Sequence, residues 1–513
     1  MGYISHPKIV PDTVEERKYQ ISMANDCLKV NTLLVLPTGL GKTIIALYVT
    51  AVVLEEGKKI LLMAPTKPLV DQHATVFSKL LVDSKIGVMN GLMKPETRKK
   101  IVQESDLVVS TPQSVANDLE NGMYGMEDFG LVIFDEAHRG TGNYAYVTVA
   151  NHCDKRNRSM GLTASPGSDI KKVEEVCRNL GFVRIDVRME EDPDVAPYIH
   201  ETYVNKIEVN MPKELLDIVD VLKKLLDHYF LELTNLHLTR ENWPPSTTHM
   251  LMIGESLQRR LRRGERTATI YRGLTVQSIC IKILHAINLA ETQGMSSLRS
   301  YLSKLNEDAT AQKGNKGGKE LVARPEYVEL WNMVSNSKVE HPKVSKLMSL
   351  VSQILNSDEK AKVMVFTQYR DTCDLLVDKL SFIDGARVGK LIGQSNGGLR
   401  QKEQIEILNE FREGKRNIIV ATSVGEEGLD IASTNAVIFY EPVPSEIRTI
   451  QRRGRTGRKN DGEVYVLIAK GTMDEVFENS SKKKEDQMRS RLEKLNKELD
   501  LSLEEGQMKL GDF

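Results

Sequence analysis

The stretch Leu33-Leu34-Val35-Leu36-Pro37-Thr38-Gly39-Leu40-Gly41-Lys42-Thr43 joins four apolar residues to a glycine turn, and Thr43 to Leu54 runs on as an apolar helix. Four apolar residues in succession read as the end of a buried parallel strand. The glycines let backbone N–H groups close around phosphate oxygens, and the N-terminus of the following helix adds a favourable dipole. Lys42 is placed to reach β- and γ-phosphates, and the Thr43 hydroxyl to ligate Mg²⁺. The strict pattern G-x-x-x-x-G-K-[ST] asks for glycine where Leu36 stands, so a plain glycine turn stays open on this stretch alone.

Around it lie 513 residues, enough for two to four domains with sizeable cores. An apolar content of 40% and a charged content of 27% are those of an ordinary soluble protein. The formal net charge is −1, so any nucleic-acid site has to be a local basic patch. Cys27, Cys153, Cys177, Cys280 and Cys373 show no paired spacing, which argues against a disulfide framework or a zinc site and for a reducing cytosol. The apolar run Ile44 to Leu54 is too short to cross a bilayer, and the start of the chain does not read as a signal peptide. The expectation is a soluble cytoplasmic protein.

Upstream of the loop, Gln20 can both accept from and donate to the edge of a base, and Arg17 and Tyr19 can stack on its ring. Glu16-Arg17-Lys18 also begins like a nuclease signature of type Glu-Arg-Lys-x-x-x-Asp, but Ser22 holds the closing position. Downstream, short apolar strands each end in a polar loop. Lys59 to Ala64 precedes Pro65-Thr66, Asp106 to Ser110 precedes Thr111-Pro112, and Leu131 to Phe134 precedes Asp135-Glu136-Ala137-His138. Ser159 to Leu162 precedes Thr163-Ala164-Ser165-Pro166. This is the pattern of a doubly wound parallel α/β sheet, in which ligands sit at the carboxyl ends of the strands. Adjacent carboxylates after a buried strand divide the labour: Asp135 holds Mg²⁺ through water and Glu136 polarises the attacking water.

From about Glu201 to Asn336 strand signals fade, and helical periodicity takes over, as in Leu215, Val219, Leu222, Leu225 and Leu226. Arg259, Arg260, Arg262 and Arg263 lie in a dense arginine stretch suited to phosphate contacts, although a solvated helix face gives the same pattern. Ala309 to Lys319 reads as a loop rich in Gly and Lys. A second α/β domain begins at His341, with strands at Val363 to Thr367, Asn417 to Ala421, Ala436 to Tyr440 and Glu463 to Ile468. Gln451-Arg452-Arg453-Gly454-Arg455-Thr456-Gly457-Arg458 then packs four arginines into eight residues, which repel unless they share an anion. The natural anion is a nucleotide held on the first domain, with Arg455 and Arg458 as arginine fingers. The expected division is 1–200 first α/β domain, 201–337 helical insertion, 338–470 second α/β domain and 471–513 charged helical tail.

Gly161-Leu162-Thr163-Ala164-Ser165-Pro166-Gly167, the block from Asp135 to His138 with Gly142-Asn143-Tyr144-Ala145-Tyr146, and Thr422 to Ile431 resemble, in this order, the blocks of superfamily-two helicases. Pro37-Thr38-Gly39 is likewise the helicase variant of the phosphate loop. The resemblance covers nearly the whole chain and is nearest to the archaeal Hef and Fanconi anaemia M-group branch, which shares its helical insertion with RIG-I-like RNA sensors.

The resemblance implies two RecA-like domains, ATP and Mg²⁺ as cofactors, and a motor acting on branched DNA at the nucleoid. It implies that Arg17 and Gln20 read adenine, that Pro65, Thr66, Thr111 and Pro112 touch the nucleic-acid backbone, and that Thr163 and Ser165 couple hydrolysis to motion. Gly428 and Asp430 would contact phosphate and ribose, and Gln451 would bridge to the acidic motif. An RNA helicase of the same superfamily and an ATP-switched clamp remain alternatives. No nuclease activity is expected. Gln507, Leu510 and Phe513 resemble a peptide that docks on sliding clamps.

Overall fold

The computed structural model describes residues 2–167, 169–189, 192–198, 202–240, 242–311, 316–393, 398–422, 434–443 and 462–504. The first sheet has seven strands: β1 (Thr32–Val35), β2 (Lys59–Met63), β3 (Ile86–Met89), β4 (Leu107–Ser110), β5 (Phe129–Asp135), β6 (Arg158–Thr163) and β7 (Arg184–Val187). Their order is β3-β4-β2-β5-β6-β1-β7, and every pairing is parallel. Strand side chains alternate between two cores. Leu34, Leu62 and Ile133 join one cluster, while Leu33, Leu61 and Phe134 join the other. Both faces are therefore covered, as an all-parallel sheet requires. On the first face lie α1 (Lys18–Lys29), α2 (Lys42–Glu55) and α3 (Lys67–Leu80). Parts of α4 (Pro95–Glu104), α5 (Pro112–Glu120), α6 (Ala145–Asn151) and α7 (Ile170–Leu180) line the second.

The second sheet contains β8 (Thr202–Val209), β9 (Val363–Phe366), β10 (Val388–Leu391), β11 (Ile418–Ala421), β12 (Ala436–Phe439) and β13 (Gly462–Ala469), ordered β10-β11-β9-β12-β13-β8. β8 corrects the expected start of the helical insertion at 201: it pairs with β13 from Thr202↔Gly462 to Val209↔Ala469 and belongs to the second sheet. Its charges hide it. Lys206 and Glu208 pair with Glu478 and Lys470, each at 2.7 Å, and a charged edge strand resembles a loop in sequence.

Along the chain, a bundle of α8 (Lys213–Asn235), α9 (Thr247–Arg262), α10 (Ala268–Thr292), α11 (Met295–Thr310), α12 (Lys316–Val322) and α13 (Pro325–Asn336) is inserted after β8 and before the other strands of that sheet. Leu215, Leu222, Leu226, Tyr229 and Leu233 of α8 recur at helical spacing in its core. α10 is long and apolar enough to cross a membrane, unlike the run at Ile44, but more than half of its apolar window is buried among its neighbours. The loop expected at Ala309 to Lys319 is partly corrected, since α11 reaches Thr310 and α12 begins at Lys316.

The second domain continues with α14 (Pro342–Ser357), α15 (Arg370–Leu380) and α16 (Gln401–Arg412). After β13 a 32-residue helix, α17 (Met473–Glu504), returns to the first domain. Its Met488, Leu492 and Leu495 are buried in the cluster that holds Phe134, Phe182 and Ile185. The stretch expected as a charged tail is thus amphipathic, and one face belongs to the first core.

At the root of α17 lies a fully buried ion pair. Lys343 Nζ is 2.8 Å from Asp474 Oδ2, with neither side chain exposed, and the ammonium sits 4.8 Å from the Tyr440 ring centroid. Asp474 Oδ2 also accepts from the Ala469 N–H. Burial pushes the Asp474 carboxyl up, and Lys343 opposes this. His341 caps α14, faces the Glu291 carbonyl at 3.0 Å, and is held well below its ordinary pKa by burial and by Lys343. Bundle, second sheet and α17 meet here on a paired charge, with Asp474 Oδ1 and Tyr440 Oη buried and without a hydrogen-bond partner among the described residues. Removing one partner strands the other's charge, so Lys343→Met is expected to destabilise the protein by about 3–5 kcal/mol in urea denaturation. An unchanged midpoint would show that the pair holds nothing together.

Candidate functional site

The β1 loop is built by two glycines in the left-handed region, Gly39 at φ +95° and Gly41 at φ +85°, the latter at the start of α2. A Cβ on Gly41 would stand 2.3 Å from Gln20 Nε2. α1 grips the loop through one carbonyl: Leu40 O accepts from Tyr19 Oη at 2.7 Å and from Gln20 Nε2 at 3.0 Å. Tyr19 is fully buried, which corrects its reading as a ring for base stacking. It is a strut. Arg17 lies over the Tyr198 ring, 5.2 Å from its centroid, and pairs with Glu15 at 3.1 Å. Gln20 Oε1 is buried and has no hydrogen-bond partner among the described residues, so it can accept from an exocyclic amine.

Pro37 is buried, Thr38 and Thr43 half-buried, and Lys42 donates to its own loop at Leu36 O (2.8 Å) and Pro37 O (3.4 Å). These carbonyls hold the Lys42 ammonium against its own loop. Two strands away in the sheet, Asp135 ends β5 and is 7% exposed. Its Oδ2 meets His73 Nε2 at 2.8 Å, and its Oδ1 accepts from the Glu136 N–H at 3.1 Å. Burial alone would raise this carboxyl, but His73, Lys42 and the amide outweigh it and hold the group below the ordinary carboxylate range. It is an anion at neutral pH.

Glu136 adopts φ +51°, a conformation uncommon outside glycine, which turns the chain sharply beneath the β5 edge. Strain of this kind gathers at functional sites. Glu136 Oε2 lies 3.3 Å from His138 Nδ1, which is 3.1 Å from Thr163 Oγ1 at the end of β6. Thr163 Oγ1 bonds Ser165 O, and Ser165 Oγ reaches Met488 Sδ of α17 at 3.0 Å. His138 thus hydrogen-bonds the acidic stretch to Thr163-Ala164-Ser165, a chain that ends on α17, and Glu136 joins it through its charge contact with His138.

Pro65 and Thr66 follow β2 at the start of α3, and Thr111 and Pro112 follow β4 at the start of α5. Strands β2 and β4 are paired neighbours, so two helix N-termini stand side by side on this edge. Thr66 Oγ1 is buried and has no hydrogen-bond partner among the described residues. Helix N-termini favour phosphate. Arg259, Arg260, Arg262 and Arg263 lie apart from this edge, at the end of α9; all but half-buried Arg260 are exposed, and Arg260 pairs with Glu265 at 2.8 Å. Nearby Arg272 is structural, forked between Glu232 and Glu320, which pin α10 to α8 and α12 and push its pKa up. Gly428, Asp430, Gln451, Arg455, Arg458, Gln507, Leu510 and Phe513 lie outside the described residues.

Family models match in series: a type III restriction enzyme res-subunit model at residues 13–168, an ATP-dependent RNA helicase helical-bundle model at 214–341 and a helicase conserved C-terminal domain model at 343–460. The crystal structure of the Pyrococcus furiosus Hef helicase domain superposes with TM-score 0.69 at 38% identity, covering 92% of this chain and 100% of that one. The chain belongs to the Hef family of superfamily-two helicases. A Methanocaldococcus jannaschii relative, named as an ATP-dependent RNA helicase, is 39% identical over 499 residues, 96% of this chain. The mouse Fanconi anemia group M protein homolog is 31% identical over 93% of the chain, and the Neurospora crassa ATP-dependent DNA helicase mph1 31% over 90%. The chain spans 63% of the first of these relatives, 26% of the second and 41% of the third.

The Hef family implies ATP with Mg²⁺, and the residues fit both. A Cβ on Gly41 would press on the Gln20 amide, Lys42 sits on oxygen acceptors, and Gln20 offers an unused one. Among the described residues no three metal-ligating side chains converge. Mg²⁺ binds through one or two carboxylates together with substrate phosphates, and Thr43 and Asp135 are the residues that could hold it here. Sequence reasoning missed His73, Tyr198 and Met488, and it named Tyr146 in a motif block without giving it a role. Tyr146 Oη donates to the Asp135 and Met63 carbonyls and so ties β5 to β2. Gly41→Ala is expected to weaken ATP binding at least tenfold (roughly, from the cost of the left-handed backbone plus the clash) with the fold retained. Unchanged affinity by calorimetry would contradict this account of the loop.

Proposed function

We propose that the chain is an ATP-driven motor on branched DNA, remodelling stalled forks and four-way junctions at the nucleoid. One observation carries the proposal: the phosphate loop, the Asp135–Glu136 pair and two paired helix N-termini share one edge of the first sheet in a chain of the Hef family. ATP supplies the reactive γ-phosphate and Mg²⁺ neutralises its charge. Lys42 binds the phosphates, Thr43 and Asp135 hold the ion, and Glu136 orients the attacking water. His138 and Thr163 keep Glu136 in place. The reading includes Gln451, Arg455 and Arg458 as contacts from the second domain that engage when the cleft closes, with Gly428 and Asp430 beside them. Hydrolysis then releases closure and shifts the grips on nucleic acid, a hinge motion.

Pro65, Thr66, Thr111 and Pro112 are the proposed grips on the backbone, and Arg259, Arg260, Arg262 and Arg263 a further phosphate contact on the bundle. The reading assigns the chain no strand cleavage: Ser22 stands where the nuclease signature needs an aspartate, and Arg17 is committed to Glu15 and Tyr198. Gln507, Leu510 and Phe513 are a proposed clamp-binding peptide. A second reading, duplex RNA as substrate, is favoured by the RNA-helicase names of the Methanocaldococcus relative and of the bundle model. Backbone grips carry little base information and do not separate the two.

ATP hydrolysis measured with no nucleic acid, single-stranded DNA, blunt duplex, forked DNA, four-way junction and duplex RNA separates them, with Lys42→Ala as blank. Strongest stimulation by forked or four-way DNA is expected; stimulation by duplex RNA alone would replace the reading. In the same assay Glu136→Gln should retain ATP binding and lose turnover by about 10²–10⁴. Loss of binding instead would mean that Glu136 serves the fold.

A further inference from the structure

The turn between α8 and α9 opens on a cavity of about 400 Å³. Trp243, Arg240, Thr239, His249, Met252 and Ser256 are among its lining residues. Trp243 is 45% exposed although an indole is among the most apolar groups in the chain. It is also braced. His249 is nearly buried and meets the Trp243 ring at 4.7 Å in a T-shaped contact. Both nitrogens of that imidazole are engaged, Nε2 with Thr239 Oγ1 at 3.0 Å and Nδ1 with Pro244 O at 3.4 Å. An aromatic plane is therefore held rigid and left open to solvent.

The cavity rim carries a second oddity. α8 ends with His237 N–H on Thr234 O and Leu238 N–H on Leu233 O, a turn that normally takes glycine at the left-handed position. This chain has His237 there at φ +55°, with its side chain lining the cavity. A strained side chain kept where glycine is easier points to use of that side chain.

The α9 face that forms the cavity continues beyond it. His249, Met252 and Ser256 follow helical spacing, and Arg259, Arg260 and Arg263 continue the same stripe, while Glu255 lies off it. His249 to Arg263 spans about 21 Å at 1.5 Å per residue. That length is enough to follow several phosphates of one strand. A stacking platform joined to a row of cations is the chemistry that single-stranded nucleic acid selects. An aromatic side chain of a protein partner would use the platform but leave the arginine row without a role.

Resting on the nucleic-acid reading above, we infer that the cavity holds one unpaired base of a branched DNA, stacked on Trp243. Arg259, Arg260 and Arg263 carry the phosphates of the strand leading to it. The bundle thereby senses single-stranded character at a branch, separately from the grips on the first sheet.

The chain has two tryptophans, so Trp331→Phe leaves Trp243 as the sole reporter in the full-length protein. A short oligothymidylate is expected to quench its emission saturably, and a backbone-matched abasic strand is not. Trp243→Ala should weaken binding of a duplex with a single-stranded tail about tenfold. It should leave blunt-duplex binding and nucleic-acid-free ATP hydrolysis unchanged, and Trp243→Phe should keep most of the affinity. Emission that ignores oligothymidylate while forked DNA stimulates ATP hydrolysis would overturn the inference alone. So would equal losses on tailed and blunt duplex, which mark a structural tryptophan, or quenching only by an aromatic peptide. Absence of stimulation by every nucleic acid would instead defeat the broader reading, and it is read in a different assay.

Discussion

Parallel pairing makes every strand of the first sheet run the same way, so all seven carboxyl ends open on one edge. The glycine loop after β1, Asp135 and Glu136 after β5, Thr163 and Ser165 after β6, and the helix starts after β2 and β4 meet there for that reason alone. Their sequence separations, from Gly39 to Ser165, are irrelevant to their proximity. The strands themselves supply only apolar burial on two faces. What the site adds is local strain, seen in the left-handed Glu136, and a buried carboxylate stabilised by His73 against its own desolvation.

The second constraint is how that edge is tied to the rest. The chain leaves the first sheet, adds β8 to the second, builds the bundle, completes the second sheet and returns through α17. The bundle and second sheet are locked by Lys343, Asp474, His341 and Glu291, whose burial is tolerated only because each finds a partner. α17 starts at this lock and ends in the first core, with Met488 against Ser165. A displacement of the second domain therefore has a covalent, packed connection to the residues beside Glu136. This is a physical route for coupling, and its energetic weight is a separate quantity to be measured.

Much of this was legible in the chain. All nine strands read from apolar runs are present within two residues of their expected ends, because a strand buried on both faces is an unbroken apolar run. The four missed are β3, β7, β8 and β10, which carry glycine or charge, as in Ile-Gly-Val-Met and Val-Gly-Lys-Leu, or lie at a sheet edge. The glycine loop, the acid pair and Thr163 stand out in the sequence because their pattern is local, and the structure places all of them at the carboxyl ends of strands in one sheet. His73, Tyr198 and Met488 do not stand out, since each acts on a partner far away in sequence, 323 residues in the case of Met488 and Ser165. Tyr19 was misread because its neighbours suggested a ligand, while the fold needed its hydroxyl on Leu40.

We propose that this edge converts ATP hydrolysis into movement along DNA. Strand displacement from a forked DNA, followed by native gel with ATP, tests it most directly. The account predicts displacement by the natural chain with ATP and none by Lys42→Ala or with a non-hydrolysable ATP analogue. Displacement that persists in Lys42→Ala, or vigorous ATP hydrolysis on the fork with neither displacement nor translocation of the strands, would contradict it.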